Sequence, residues 1–115
     1  MGLRFMGHIE QENLVELIAC DEVEEDFGAK VEREGAPPLA VFRLGDEFFV
    51  IDDTCTHGDA SLSDGELFSN GEVSCPFHGG TFDVRSGAAC KYPCVVPIKT
   101  YRTRIINNSV WIDLS

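Results

Sequence analysis

No stretch of this chain stays apolar for long. The longest uninterrupted runs, Leu17–Cys20, Leu39–Phe42 and Phe48–Ile51, are four residues each, far too short to cross a bilayer as a helix. No apolar segment follows Arg4 before Glu10 and Glu12, so a secretory leader is not expected and a cytoplasmic location is. Basic residues are scarce. Nine Lys and Arg against 20 Asp and Glu give a net charge of -11, which argues against nucleic acid or an anionic membrane as partner. Repeats, low-complexity tracts and Pro/Ser-rich linkers are also lacking, so residues 1–115 are expected to form one domain, with 1–12 a loosely attached arm. With three histidines in all, ligand sets rich in imidazole are out of reach. Five cysteines, an odd number in a chain without a leader, do not suggest a disulfide framework; metal binding or buried thiols fit better.

The composition that remains is that of a folded protein, 43% hydrophobic and 25% charged. Asn13–Cys20 reads equally as a strand or a short helix, because Leu14, Leu17 and Ile18 also fit helical spacing. Beyond it the texture is short β segments. Leu39–Leu44 and Glu47–Asp52 flank Gly45-Asp46 as a hairpin. Gly71–Cys75 and Thr81–Val84 are further strands around a Pro76-to-Gly80 loop, and Ile98–Ile106 turns at Asn107-Asn108 into Val110–Leu114. In that last segment Val110, Ile112 and Leu114 alternate with Trp111 and Asp113, which buries one face. The expectation is an all-β antiparallel sandwich or small barrel.

The chemistry is concentrated in two short clusters. Cys55-Thr56-His57 is followed, after 17 residues, by Cys75-Pro76-Phe77-His78. Each offers a thiolate and an imidazole at the end of a predicted strand. Zinc modules usually pair their cysteines and then their histidines. The interleaved order here suits a two-metal group in which the cysteines share one iron and the histidines the other, the ligation of a Rieske [2Fe–2S] centre. More than the four ligands match. The stretch Cys55 to Gly65, then Cys75 to Asp83, then Gly87 and Pro93 to Pro97, resembles the Rieske ferredoxins of bacterial aromatic-ring dioxygenase systems, over roughly residues 14 to 114.

That resemblance implies an antiparallel β sandwich with one [2Fe–2S] cluster held by Cys55, His57, Cys75 and His78 in two hairpin loops at its tip. It also implies a proline-containing third loop, Tyr92–Pro97, over the cluster. The implied role is a monomeric one-electron carrier from a flavin-dependent reductase to a terminal oxygenase. Gly58, Gly79 and Gly80, beside the ligands, are expected to supply positive-φ turns and N–H groups aimed at sulfur. Asp59 is expected to cap a turn. In the high-potential Rieske proteins of cytochrome bc complexes, two further cysteines form a disulfide, and a Ser and a Tyr hydrogen-bond the cluster and a ligand thiolate. The matching positions are Ala60, Phe77, Gly80 and Phe82. Without those devices the potential is expected at the low end of the Rieske range, roughly -150 mV.

Other readings were weighed against this one. A mononuclear oxygenase needs two histidines and a carboxylate, and the only histidine outside the cluster is His8, so the chain is not expected to be an enzyme. A structural zinc module explains the Cys and His but not the glycine, leucine and proline pattern. A Rieske-like small subunit of another redox enzyme, such as nitrite reductase, is compatible with the ligand set. Cys20, Cys90 and Cys94 have no further ligand beside them in the chain and are expected to be packing residues. Between Leu44 and Val84 there is no Lys or Arg but nine acids, namely Asp46, Glu47, Asp52, Asp53, Asp59, Asp64, Glu66, Glu72 and Asp83. Because these bracket the ligands, reductase and oxygenase are expected to dock electrostatically on an acidic cluster end.

Overall fold

The computed structural model describes residues 13–114; the expected arm at 1–12, with His8, lies outside them. Its strands are β1 (Leu14–Ala19), β2 (Ala29–Arg33), β3 (Ala36–Leu44), β4 (Glu47–Asp52), β5 (Glu72–Ser74), β6 (Thr81–Asp83), β7 (Ala89–Lys91), β8 (Thr100–Ile106) and β9 (Ser109–Asp113). Single 3-10 turns occupy Cys20–Glu22 and Leu62–Asp64. A large sheet runs in the order β1-β9-β8-β4-β3-β2 and a small one in the order β5-β6-β7. Every pairing is antiparallel. No helix among the described residues is long and apolar enough to cross a membrane.

The apolar run Leu39–Phe42 explains the layering. Adjacent strand residues face opposite ways, so a strand with one wet face must alternate. This run does not alternate, because both of its faces are covered. Leu39 and Val41 join Val50, Val110, Ile112, Cys20 and Val23 in one core. Ala40 and Phe42 join Ile51, Leu62, Val73, Phe82 and Val84 in the other. Register confirms the split, with Val41 opposite Val50 and Ala40 opposite Ile51. The β3–β4 hairpin is therefore the shared middle layer. Each Val, Leu, Ile or Phe buried there contributes about 1.5–3 kcal/mol relative to exposure.

The two-residue turn at Gly45-Asp46 is as expected, with Leu44 opposite Glu47. So is the Asn107-Asn108 turn, where both residues have positive φ, 52° and 62°, the mirror-image turn that matches strand twist. The ambiguous first segment is a strand, because β9 offers its backbone a partner along Leu14–Ala19. Strand β8 begins later than expected, at Thr100, since the Ile98 N–H is taken by the Gly87 carbonyl at 2.8 Å. Two strands carry too weak a pattern to be read beforehand. β2 has exposed Lys30 and Glu32 on a sheet edge, and β7 is only Ala89–Lys91.

Candidate metal centre

Both predicted ligand clusters sit where strands run out. β4 ends at Asp52, and the chain turns through Cys55 and His57; β5 ends at Ser74, and the chain turns through Cys75 and His78. The two turns share one hydrogen-bond frame. The Cys55 N–H donates to the Ala60 carbonyl (3.0 Å) and the Cys75 N–H to the Gly80 carbonyl (2.7 Å). Inside each loop a glycine N–H returns to the cysteine carbonyl, Gly58 to Cys55 at 3.3 Å and Gly79 to Cys75 at 3.0 Å.

This frame sends sulfur inward and nitrogen outward. Cys55 and Cys75 are 3% and 2% exposed, within the core under the small sheet. His57 and His78 are exposed, their rings edge to face with centroids 5.1 Å apart. The structure thus sets the two cysteines as an inner sulfur pair and the two histidines as an outer imidazole pair. Among the described residues no group of three or more His, Cys, Asp or Glu side chains converges as a single-metal site requires. A pair of sulfurs and a pair of imidazoles suits two irons better than one tetrahedral zinc.

The amides aimed at sulfur are not the expected ones. One belongs to His57, whose N–H lies 3.4 Å from Cys55 Sγ, and on the second loop the Phe77 and His78 N–H groups act on Cys75. Burial pushes the Cys75 thiol up; the Phe77 N–H opposes this, neighbouring Cys55 adds to it, and the His78 N–H opposes it again. Of the three glycines only Gly79 has positive φ, 77°. Gly80 is needed for space instead. A Cβ there would lie 2.6 Å from Cys94 Sγ, 2.8 Å from Cys94 N and 2.9 Å from the Lys91 carbonyl. Gly58 is under neither constraint, as its Cβ would meet only Phe77, at 4.0 Å.

Three site features escaped sequence reasoning. Cys94 is not a remote packing residue: its Sγ lies 3.9 Å from Cys55 Sγ, buried in the same core. Burial, with Cys55 and Cys75 alongside, pushes its thiol up to about 12. The third loop brings it there, tied down by a Thr56 hydroxyl bond to the Val96 carbonyl at 2.7 Å. Chain spacing could not show this contact, which joins residues 39 apart. Cys20 does pack in the other core, and Cys90 is exposed.

The second feature is Asp53, 1% exposed at the foot of the first loop. Its carboxylate accepts from the Ser61 hydroxyl at 2.5 Å and the Ser63 N–H at 2.9 Å, with Lys30 Nζ 3.9 Å away. The serines two and four residues beyond the loop were the available signal. Asp59, the expected cap, is exposed and makes no side-chain hydrogen bond or ion pair among the described residues.

The third feature is the setting of the acids on which the expected acidic cluster end rests, of which Asp59, Asp64 and Glu66 are exposed. Asp53 is buried, Asp52 accepts from the Tyr101 hydroxyl (2.6 Å), and Glu72 accepts from Thr81 (2.7 Å). Asp83 accepts from the Arg85 N–H at 2.7 Å. Asp46 and Glu47 lie at the far end of β4, about 20 Å from Cys55 at strand rise. Within the two ligand loops only Asp59 is charged. The loop end instead presents Phe77, Tyr92, Val95 and Val96, which are 59%, 81%, 67% and 55% exposed. Four large apolar side chains on the loops around the ligands form a surface that solvent disfavours.

Comparison with known proteins agrees with this geometry. A family model described as "Rieske [2Fe-2S] domain" matches residues 13–102. The anthranilate 1,2-dioxygenase ferredoxin subunit of Burkholderia cepacia is 42% identical over 96 residues, covering 84% of this chain and 87% of that protein. Among solved structures, the Sphingomonas yanoikuyae B1 ferredoxin superposes with a TM-score of 0.85 at 42% identity, over 90% of this chain and 100% of that one. A chain from a complex of reduced oxygenase and oxidized ferredoxin in carbazole 1,9a-dioxygenase superposes with a TM-score of 0.82 at 39% identity, over 88% of this chain and 93% of that one.

Proposed function

The chain belongs to the Rieske [2Fe–2S] domain family, and from that premise we propose that Cys55 and Cys75 hold the inner iron of its cluster and His57 and His78 the outer one. It is a ferredoxin component of the aromatic-dioxygenase type, carrying electrons and performing no catalysis of its own. The residues fit the group. Two buried sulfurs receive N–H bonds, as thiolates require, and two imidazoles stand at the solvent side. When bound, the cluster takes up and releases one electron.

The rest is done by the polypeptide. Burial excludes water from the sulfurs, and the loop frames hold both cysteines in place. The exposed imidazoles bring the electron's exit to the surface. The single observation that carries the reading is this split between inner sulfur and outer nitrogen. We assign the carrier to the cytoplasm, between a flavin-dependent NAD(P)H reductase and a terminal oxygenase. The absence of hydroxyl donors at Gly80 and Phe82 favours a potential low in the Rieske range, roughly -150 mV. Docking runs through the apolar loop end, while the net charge of -11 steers basic partners from a distance.

The test is electron paramagnetic resonance of the dithionite-reduced protein, with iron and acid-labile sulfide counted. A Rieske signal, lower in average g than an all-cysteine cluster, is expected, and His78→Cys should lower the potential if the cluster assembles. No iron or no labile sulfide overturns the assignment. In the transfer assay Phe77→Ser should slow electron delivery to the oxygenase while leaving that signal intact; an unchanged rate removes the apolar docking face.

A further inference from the structure

Cys94 has a place in the fold that the four-ligand reading does not use. It sits on the third loop, 3% exposed, and its sulfur is 3.9 Å from Cys55 Sγ, within reach of a sulfur hydrogen bond. The position is held from several sides. The Cys94 N–H bonds to the Lys91 carbonyl at 3.1 Å, and Gly80, without a side chain, lets the loop approach this closely, since a Cβ there would lie 2.6 Å from Cys94 Sγ. Thr56 pins the same loop at Val96.

A thiol in this position has one proton to give. With Cys55 in the ligand role, the S–H able to bridge the 3.9 Å between the two sulfurs is that of Cys94. We propose that the Cys94 thiol donates a hydrogen bond to the Cys55 sulfur and thereby raises the reduction potential of the cluster, an inference that rests on the ligand assignment above. Reduction adds one electron and no proton, and part of the added negative charge falls on the ligand sulfurs. A donor aimed at one of them is worth more in the reduced state than in the oxidised one, which makes reduction easier. S–H is a weak donor, so the effect is smaller than a hydroxyl would give. Cys94 is thus a positioning and tuning residue, and the electron need not pass through it.

The experiment compares holo-protein with Cys94→Ala and Cys94→Ser by midpoint potential and paramagnetic resonance. Alanine should lower the equilibrium constant for one-electron reduction about threefold to tenfold, tenfold being 59 mV for such a couple. Serine, whose hydroxyl can replace the donor, should bring the potential back to at least the native value. An alanine variant with a native Rieske signal and an unchanged potential overturns the proposal. If neither variant assembles a cluster, the native protein decides through its reduced-minus-oxidised infrared spectrum. A shifted S–H band supports the donor, and a silent S–H region rejects it, because Cys20 lies in the other core and Cys90 is exposed. Loss of the Rieske signal in the native protein would instead indict the ligand assignment.

Discussion

The two ligand loops have the same backbone frame and different supports. The Cys55 loop stands on side chains: Asp53 gathers Ser61 and the Ser63 N–H beneath it, and Thr56 reaches Val96 on the third loop. The Cys75 loop stands on backbone. Strands β5 and β6 flank it directly, with Ser74 opposite Thr81, and Gly80 lies flat against Lys91 and Cys94. Its one nearby side-chain bond joins Thr81 to Glu72. Equal geometry at the metal can therefore be reached by polar satisfaction on one side and close packing on the other. The two should fail differently: the first by leaving a buried polar group alone, the second by collision.

The largest break in this comparison should come from Gly80→Ala. The new Cβ meets backbone atoms of Cys94 and Lys91 at 2.8 and 2.9 Å, and backbone cannot rotate away. Overpacking of this kind costs about 1–3 kcal/mol or more, and it presses on the loop that carries Cys94. Iron and labile sulfide per chain should fall well below native, whereas Gly58→Ala, with nothing nearer than 4.0 Å, should retain both. Equal loss in the two variants would show that packing does not distinguish the loops.

Next in size is Asp53→Ala. It strands the buried Ser63 N–H and leaves the Ser61 hydroxyl only its 3.0 Å contact with the Ser63 hydroxyl, at a cost of about 1–3 kcal/mol. Denaturant unfolding of the holo-protein should show the loss as a lower midpoint at constant slope. A midpoint within error of native would mean that the first loop does not depend on this carboxylate.

The smallest effect should be an alkaline one. Burial, and then the Asp52 contact, raise the Tyr101 hydroxyl above its ordinary value near 10. A raised acid means that the folded state holds its proton longer than the unfolded one. Its contribution is therefore complete below pH 10 and is lost as pH climbs through the folded value. Tyr101→Phe should be slightly less stable at neutral pH and should show a flatter decline above pH 10. An identical alkaline limb in both proteins would remove Tyr101 from the foot of the first loop, where Asp52 adjoins Asp53.

Much of the fold was legible because its signals are local. Gly45-Asp46 and Asn107-Asn108 dictate turns by their own backbone preferences, and Val110 and Ile112 declare a strand by spacing alone, although Leu114, expected as the third buried residue, lies past the end of β9 and is exposed. Edge strand β2 was not legible, since its exposed Lys30 and Glu32 mask the period, and β7 is too short to have one. At the site, Cys55, His57, Cys75 and His78 are the proposed ligands by residue type and order. Cys94 could not, because nothing in its neighbourhood along the chain resembles its neighbourhood in space. The acids divide for the same reason: all bracket the ligands in sequence, yet Asp52, Asp53, Glu72 and Asp83 accept hydrogen bonds within loops and strand ends while Asp46, Glu47, Asp59, Asp64 and Glu66 stay exposed.

What the order of residues alone determined was the hairpins and the uninterrupted core strand, and it also carries the proposed donor set, all of which depend on groups a few positions apart. The folded chain decided which cysteine stands behind Cys55, which carboxylate is buried and which apolar side chains the loop end exposes. Those outcomes depend on where distant loops converge, and a loop's destination is set by the sheets that carry it rather than by its own residues.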